Sequence, residues 1–325
     1  MDTAEVLVQQ LIIGLSNGMI IALIALGYTM VYGLVELINF AHGDLFMLGG
    51  FCALTILGGL GLAPLPSASE VGTVMWWTSF VLLFTLVPLF CGALNWLIDR
   101  LAYRPLRNAP RLVPLVSALG VSFILLNVGL FWGGLPMSAF DMGASAASPK
   151  DFPQLVSNTN LLGESSFILL SPKDLLVMSV TLPLLLILVL VVTRTQFGRA
   201  MRAVAQNPVA ARLVGIDVDR IISLTFVLGG ALAGVASIIY ALYNNTVFFQ
   251  MGYRVGIDAF TAAVLGGIGN LVGSVVGGIL IGLIRAMSDQ YISTEWTNTI
   301  VFMILIGVLI FRPAGLLGRA VKEKV

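Results

Sequence analysis

Residues 174–193 read DLLVMSVTLPLLLILVLVVT, and residues 194–220 continue RTQFGRAMRAVAQNPVAARLVGIDVDR. After Asp174 the first stretch carries no charge, and it has the roughly 20 apolar residues that a bilayer crossing needs. The second holds Arg194, Arg199, Arg202, Arg212 and Arg220, with no acid before Asp217. An apolar run that ends in an arginine cluster reads as a membrane crossing whose following loop stays in the cytoplasm. This pair of stretches sets both the fold class and the orientation.

The rest of the chain agrees. Hydrophobic residues make up 58% and charged ones 10%, with a mean hydropathy of +1.00. A soluble domain needs about 25% charged residues to cover its surface, so most of this surface must face lipid. The net charge of +1 gives no reason to expect nucleic acid as a partner. Asp2 and Glu5 stand where a secretory leader would be basic, so a cleaved signal peptide is not expected.

Other apolar runs of spanning length fall at about 7–32, 44–62, 75–98, 112–132, 221–243, 273–290 and 297–312, with a shorter one at 258–268. The expected fold is all-α. It is a single polytopic membrane helix bundle over residues 1–325, with about eight transmembrane helices and broken or re-entrant segments. Arg100, Arg104, Arg107 and Arg111 follow the third run, and Arg312, Arg319, Lys322 and Lys324 follow the last, so both regions are expected in the cytoplasm. The loop 133–173 has only Lys150 and Lys173 beside Asp141, Asp151 and Glu164, and reads as extracytoplasmic. Counting crossings puts the N-terminus outside and the C-terminus inside. That count requires 258–268 to carry the chain inward as a half-helix plus extended backbone.

Two stretches break the apolar pattern. In ELINFAHGDLFMLGG, residues 36–50, the polar groups are Glu36, Asn39, His42 and Asp44. Gly43 can break a helix there and Asp44 can cap the next one. These groups either pin a broken helix or line a polar path. In DAFTAAVLGGIGN, residues 258–270, Asp258 can cap a half-helix, and Gly266, Gly267 and Gly269 allow unwinding. Transporters pair such segments around their substrate path, and helix ends offer N–H and C=O groups to a zwitterion. The candidate path residues are Asn39, His42, Asp44, Thr261, Gly266, Gly267, Gly269 and Asn270. Beyond them, Gly273, Gly277, Gly278 and Gly282 are spaced for close helix contact, within the subunit or between subunits. Arg285 and Asp289, four apart, are expected to pair on one helix.

The loop 194–220 has its own architecture. A short helix is expected from Gly198 to Ala205, then an N-cap at Asn207, Pro208 in the first helical position, and a stop at Gly215. A basic loop can simply sit at lipid headgroups. A capped helix has more structure than a tether requires, which favours a docking element for a cytoplasmic partner. The candidate coupling residues are Arg199, Arg202, Asn207, Pro208, Ala210, Ala211, Arg212 and Gly215.

No chemistry of the chain's own is expected. Cys52 and Cys91 lie in apolar runs and read as free thiols, no spacing suits a metal, and His42 is the only histidine. No G-x-x-x-x-G-K-[ST] phosphate loop occurs, so this chain is not expected to hydrolyse ATP itself, and no cofactor of its own is expected.

Several stretches resemble one family. They are Ala25-Leu-Gly-Tyr-Thr-Met-Val-Tyr-Gly33, Ile38-Asn-Phe-Ala-His-Gly-Asp44, Gly198-Arg-Ala-Met-Arg-Ala203, Ala210-Ala-Arg-Leu-Val-Gly-Ile216, Ala259-Phe-Thr-Ala-Ala-Val-Leu-Gly-Gly-Ile-Gly269 and Arg312-Pro-Ala-Gly-Leu-Leu-Gly318. Together and in this order they resemble the permeases of branched-chain amino acid ABC importers, and look closest to the LivH-like member of the permease pair. The resemblance implies a bacterial inner-membrane importer subunit. It would work with a second related permease, two cytoplasmic ATPase subunits that hold the ATP and its magnesium, and an extracytoplasmic substrate-binding protein. In ABC importers generally a loop motif Glu-Ala-Ala-x-x-x-Gly docks into the ATPase. Ala210, Ala211 and Gly215 match it, and Val209 stands where the Glu would be. Permeases of urea and amide importers are similar, and a urea or amide importer is the alternative that the resemblance implies.

Two other classes compete. Asn207-Pro208-Val209 has the look of a water-channel turn, but it lies in the arginine-rich loop and has no matching repeat. An intramembrane enzyme would need a nucleophile beside a base, and His42 has none in view.

Overall fold

A computed structural model describes residues 3–36, 38–63, 72–107, 109–110, 112–143, 145–163 and 166–318. Arg111, Glu164, Arg319, Lys322 and Lys324, which entered the topology count, and Leu37 of the first broken stretch lie outside the described residues.

The chain is a helical bundle, as its composition required. The helices are α1 (Thr3–Val35), α2 (Ala41–Gly59), α3 (Thr73–Ile98), α4 (Leu112–Gly133), α5 (Pro172–Arg194), α6 (Gln196–Gln206), α7 (Pro208–Leu213), α8 (Val218–Asn244), α9 (Met251–Gly266), α10 (Leu271–Tyr291) and α11 (Thr297–Phe311). Seven of the described helices are long and apolar enough to cross a membrane, and α11 is a shorter apolar one. The windows of α1 and α2 are mostly buried, whereas α4 and α5 expose most of theirs. The former pair therefore forms the centre of the bundle and the latter its outer rim.

Close packing at the centre uses small residues. Gly14 and Gly18 of α1 lie against Leu283 and Ile279 of α10, while Gly278 meets Ala22 and Gly282 meets Gly18. A Cβ at any of these positions would collide with neighbouring backbone, so the glycine spacing serves packing within the subunit.

The loop after α4 folds over the end of the bundle opposite the arginines. Lys150 of the two-residue strand β1 (Lys150–Asp151) pairs in register with Val247 of β2 (Thr246–Val247). The indole of Trp76 donates to the Leu155 carbonyl at 2.7 Å.

Both broken stretches differ from expectation. Asp44 does not cap α2. The helix starts earlier, at Ala41, with Phe40 in the N-cap position and no side-chain cap, so Asp44 sits inside its first turn. Gly43 does not break the helix either, because its bare Cα is used for close approach to Gly252 and Gly256 of α9. The break lies upstream, where Glu36 takes φ +52° after α1. It does sit at depth. His42 lies against Gly27, so α2 begins about 12 Å short of the end of α1 at Val35, at 1.5 Å per residue.

The second stretch is not a half-helix capped by Asp258. α9 is one continuous helix of 16 residues, and Asp258 lies inside it, paired with Arg285 of α10 at 2.8 Å. That pairing also replaces the expected Arg285–Asp289 pair: Arg285 donates to Asp258 and to Asn298 (3.0 Å), while Asp289 accepts from the Thr297 hydroxyl. The chain turns back through Gly267 (φ +106°) and Gly269 (φ +91°), beside Gly33 near the end of α1. The sequence made this segment look short because Tyr253, Arg254 and Asp258 interrupt its apolar run. Within the helix, Asp258 is paired with Arg285.

Candidate functional site

The exposed hairpin of α6 and α7 is built as its residue types require. Thr195 caps α6, its hydroxyl accepting from the Gly198 N–H at 3.1 Å. Asn207 caps α7, its side-chain oxygen accepting from the N–H groups of Val209 and Ala210 at 3.0 Å each. Pro208 fills the first helical position, where no N–H is needed. Gly215 stops the helix at φ +85°, and its N–H donates to the Arg212 carbonyl at 3.0 Å. Asp217 then caps α8.

Met201, Val204 and Ala211 are buried and fix the hairpin to the bundle. Of the other predicted coupling residues, Arg199, Arg202, Asn207, Pro208, Ala210, Arg212 and Gly215 are exposed. Arg202 has an internal task as well, since its guanidinium donates to the Val192 carbonyl and so covers the C-terminal end of α5. The tip of the hairpin is apolar, with Val209 at 66%, Leu213 at 85% and Val214 at 75% exposure. The sequence reading weighed this loop by its arginines and missed these three. Their signal was present: aliphatic residues crowd a helix of under two turns that has no room to bury them.

The predicted path residues fall into separate groups. Asn39, His42 and Asp44 gather at the start of α2, all buried. Asn39 accepts a hydrogen bond from the Tyr103 hydroxyl at 2.8 Å. His42 fits against Gly27, with its ring edge-on to Tyr28 at 4.7 Å. Among the described residues, neither of its ring nitrogens has a partner in hydrogen-bond geometry, although the Ile24 carbonyl approaches the ring. Thr261 is buried in α9 and its hydroxyl also has no partner among the described residues.

Gly266, Gly267, Gly269 and Asn270 form the α9–α10 turn, at a distance from the first group along α9. Backbone fills the space around Gly266 and Gly267: Gly273 presses on the former and Gly318 on the latter. The N–H groups of Leu316 and Leu317 donate to the carbonyls of Leu265 and Gly266, at 2.9 and 3.0 Å. Asn270 caps α10 and ties the turn to the Leu317 carbonyl at 2.7 Å. This turn is a packed joint. The unwinding expected there takes the form of two glycine torsions, at Gly267 and Gly269.

A cavity of about 380 Å³ opens between α2, α4 and α9. Phe40, Leu119, Leu126, Ile257 and Phe260 make its wall apolar, and Asp44 reaches it. Ser122 of α4 donates its hydroxyl to the Asp44 carboxylate, and among the described residues no cation pairs with Asp44. Sequence reasoning found Asp44 but not the wall, because the wall comes from three separated helices. A second cavity, of about 400 Å³, lies towards the far end, between Gln10 and Asn17 of α1, Arg254 and Asp258 of α9, and Arg285 of α10.

At the arginine-bearing end, α3 continues through a π turn (Asp99–Tyr103), a helical form often found at functional sites. It places Asp99, fully buried, between Arg107 and the Ser223 hydroxyl of α8. Arg107 also pairs with Asp219, one residue into α8.

The profile of the family described as the permease component of the branched-chain amino acid transport system matches residues 10–309. The high-affinity branched-chain amino acid transport system permease protein BraD of Pseudomonas aeruginosa is 38% identical over 98% of this chain and 97% of its own. The permease protein LivH of the corresponding Escherichia coli system is 37% identical over the same shares. The autoinducer 2 import system permease protein LsrC of Klebsiella pneumoniae is 31% identical over 62% of this chain and 55% of its own. No solved structure matches.

Proposed function

The chain belongs to the branched-chain amino acid transport system permease family, and from that membership we propose that it is the membrane-spanning subunit of an ATP-driven ABC importer for branched-chain or related small amino acids. It is a non-catalytic transport subunit. A second related permease completes the translocation unit, two cytoplasmic ATPase subunits supply the driving force, and an extracytoplasmic binding protein delivers the solute. The whole chain forms one transmembrane domain in a bacterial inner membrane. The N-terminus and loop 133–173 lie outside, and the loop 194–220 and the C-terminus lie in the cytoplasm.

One observation carries this reading. The α6–α7 hairpin is capped at both helices, rooted through Met201, Val204 and Ala211, and exposes the apolar tip Val209, Leu213 and Val214 beside Arg212. An exposed apolar patch rimmed by charge is the surface that a protein partner covers. Val209 provides no carboxylate, so docking rests on apolar contact and arginine rather than on an acid at that position. The permease of a related urea or amide importer is the alternative on substrate.

Affinity capture of the full chain from membranes tests the proposal. It is expected to recover a nucleotide-binding ATPase and a second permease, and proteoliposomes holding all components should take up leucine, isoleucine or valine only with ATP. A purified chain that passes solute alone would establish a channel instead.

A further inference from the structure

Among the described residues, Asp44 is a buried carboxylate with no cation and a single hydroxyl as its side-chain partner. It lies in the first turn of α2, well inside the bundle, and is buried. Elsewhere the buried and half-buried acids at the ends of the bundle have cationic or multiple hydrogen-bond partners. Asp99 has Arg107 and Ser223, Asp258 has Arg285, and Asp174 has Ser16, Ser171 and Tyr243. Among the described residues, Asp44 has the Ser122 hydroxyl alone. An ionisable group at membrane depth is costly, and the usual reason to keep one is a ligand or a path. The second cavity is the weaker candidate for the same role, because its central charges, Arg285 and Asp258, already satisfy each other.

The cavity around Asp44 has the chemistry to match. Its wall is mostly apolar, with Phe40, Leu126, Ile257 and Phe260 beside Tyr28 and Tyr253, and its volume of about 380 Å³ falls within the range of small-ligand pockets. One anionic group at the edge of an apolar slot suits a solute with one ammonium and an aliphatic body. We propose that this cavity is a substrate subsite in which Asp44, oriented by Ser122, holds the α-ammonium of an aliphatic amino acid while its side chain lies along the apolar wall. The inference rests on the importer reading and adds to it the place and polarity of one substrate contact. Asp44 is then a binding residue and Ser122 a positioning residue.

The test uses the complete complex in proteoliposomes, with radiolabelled L-leucine as the probe. Asp44→Asn keeps the shape and can still accept from Ser122, so a merely structural acid tolerates it. Loss of a buried charge partner instead lowers leucine uptake about 100-fold, from the cost of removing one member of such a pair. Wild-type uptake by the Asn variant would overturn the proposal. Should that variant fail to assemble, Leu126→Trp narrows the wall with Asp44 intact. The ratio of leucine to alanine uptake is then expected to fall about tenfold or more, and an unchanged ratio would overturn the subsite. A wild-type complex that moves no aliphatic amino acid would instead sink the importer reading, which keeps the two failures apart.

Discussion

Arg107 holds Asp99 with two hydrogen bonds, of 2.6 and 2.8 Å, and the carboxylate that it grips has no exposure to solvent. The pair joins the end of α3 to the start of α8, because Ser223 and Asp219 bond to the same two side chains. Removing one member of a buried pair leaves an uncompensated charge and costs about 3–5 kcal/mol. Arg107→Ala is therefore expected to lower the melting temperature in detergent sharply. Pairing it with Asp99→Asn should recover part of the loss. A single variant that melts with the wild type would mean that water enters and screens Asp99.

Leu213 is 85% exposed, so the fold gives it almost no internal work. Leu213→Asp is expected to leave the melting temperature unchanged and to lower ATPase co-purification about tenfold, roughly the 1.4 kcal/mol that one good apolar contact contributes. Undiminished co-purification would move the docking surface elsewhere.

Gly215 ends α7 in the left-handed region at φ +85°, which costs an ordinary residue roughly 1–2 kcal/mol. Gly215→Val is expected to fray α7, with uptake falling while membrane insertion stays normal. Full uptake would show that the helix stop is dispensable.

Gly266 offers a direct choice between two accounts of the α9–α10 turn. A path-lining glycine replaced by Leu gives a folded, inert transporter. A packed joint gives a protein that fails to fold, since the Gly273 backbone already occupies the space. The second outcome is expected for Gly266→Leu, with yield and uptake falling together. Size-exclusion profiles of the detergent-extracted variant separate the two.

Much of the bundle was legible in the sequence because apolar length is a one-dimensional quantity. The expected 174–193 appears as Pro172–Arg194, and 112–132 as Leu112–Gly133. Capping in the arginine loop was legible for a similar reason, since Asn207-Pro208 and Gly215 act within one turn. What escaped were pairings across helices. Asp258 looked like a cap because its partner Arg285 lies on the next helix, and Asp44 looked like a cap although the helix starts before it. The cavity wall was invisible because Phe40, Leu126 and Phe260 meet only after three helices have packed.

The tie between Arg202 and Val192 makes the exposed hairpin and α5 a single lever. Gly198 leaves no gap against Val191 and Val192, so the joint has little slack to absorb a push. At the far end of that lever Asp174 is bonded to Ser16 of α1 and Tyr243 of α8. On the importer reading, a push on the hairpin would reach α1 and α8 through Asp174, about 27 Å from Val192 at 1.5 Å per residue along α5.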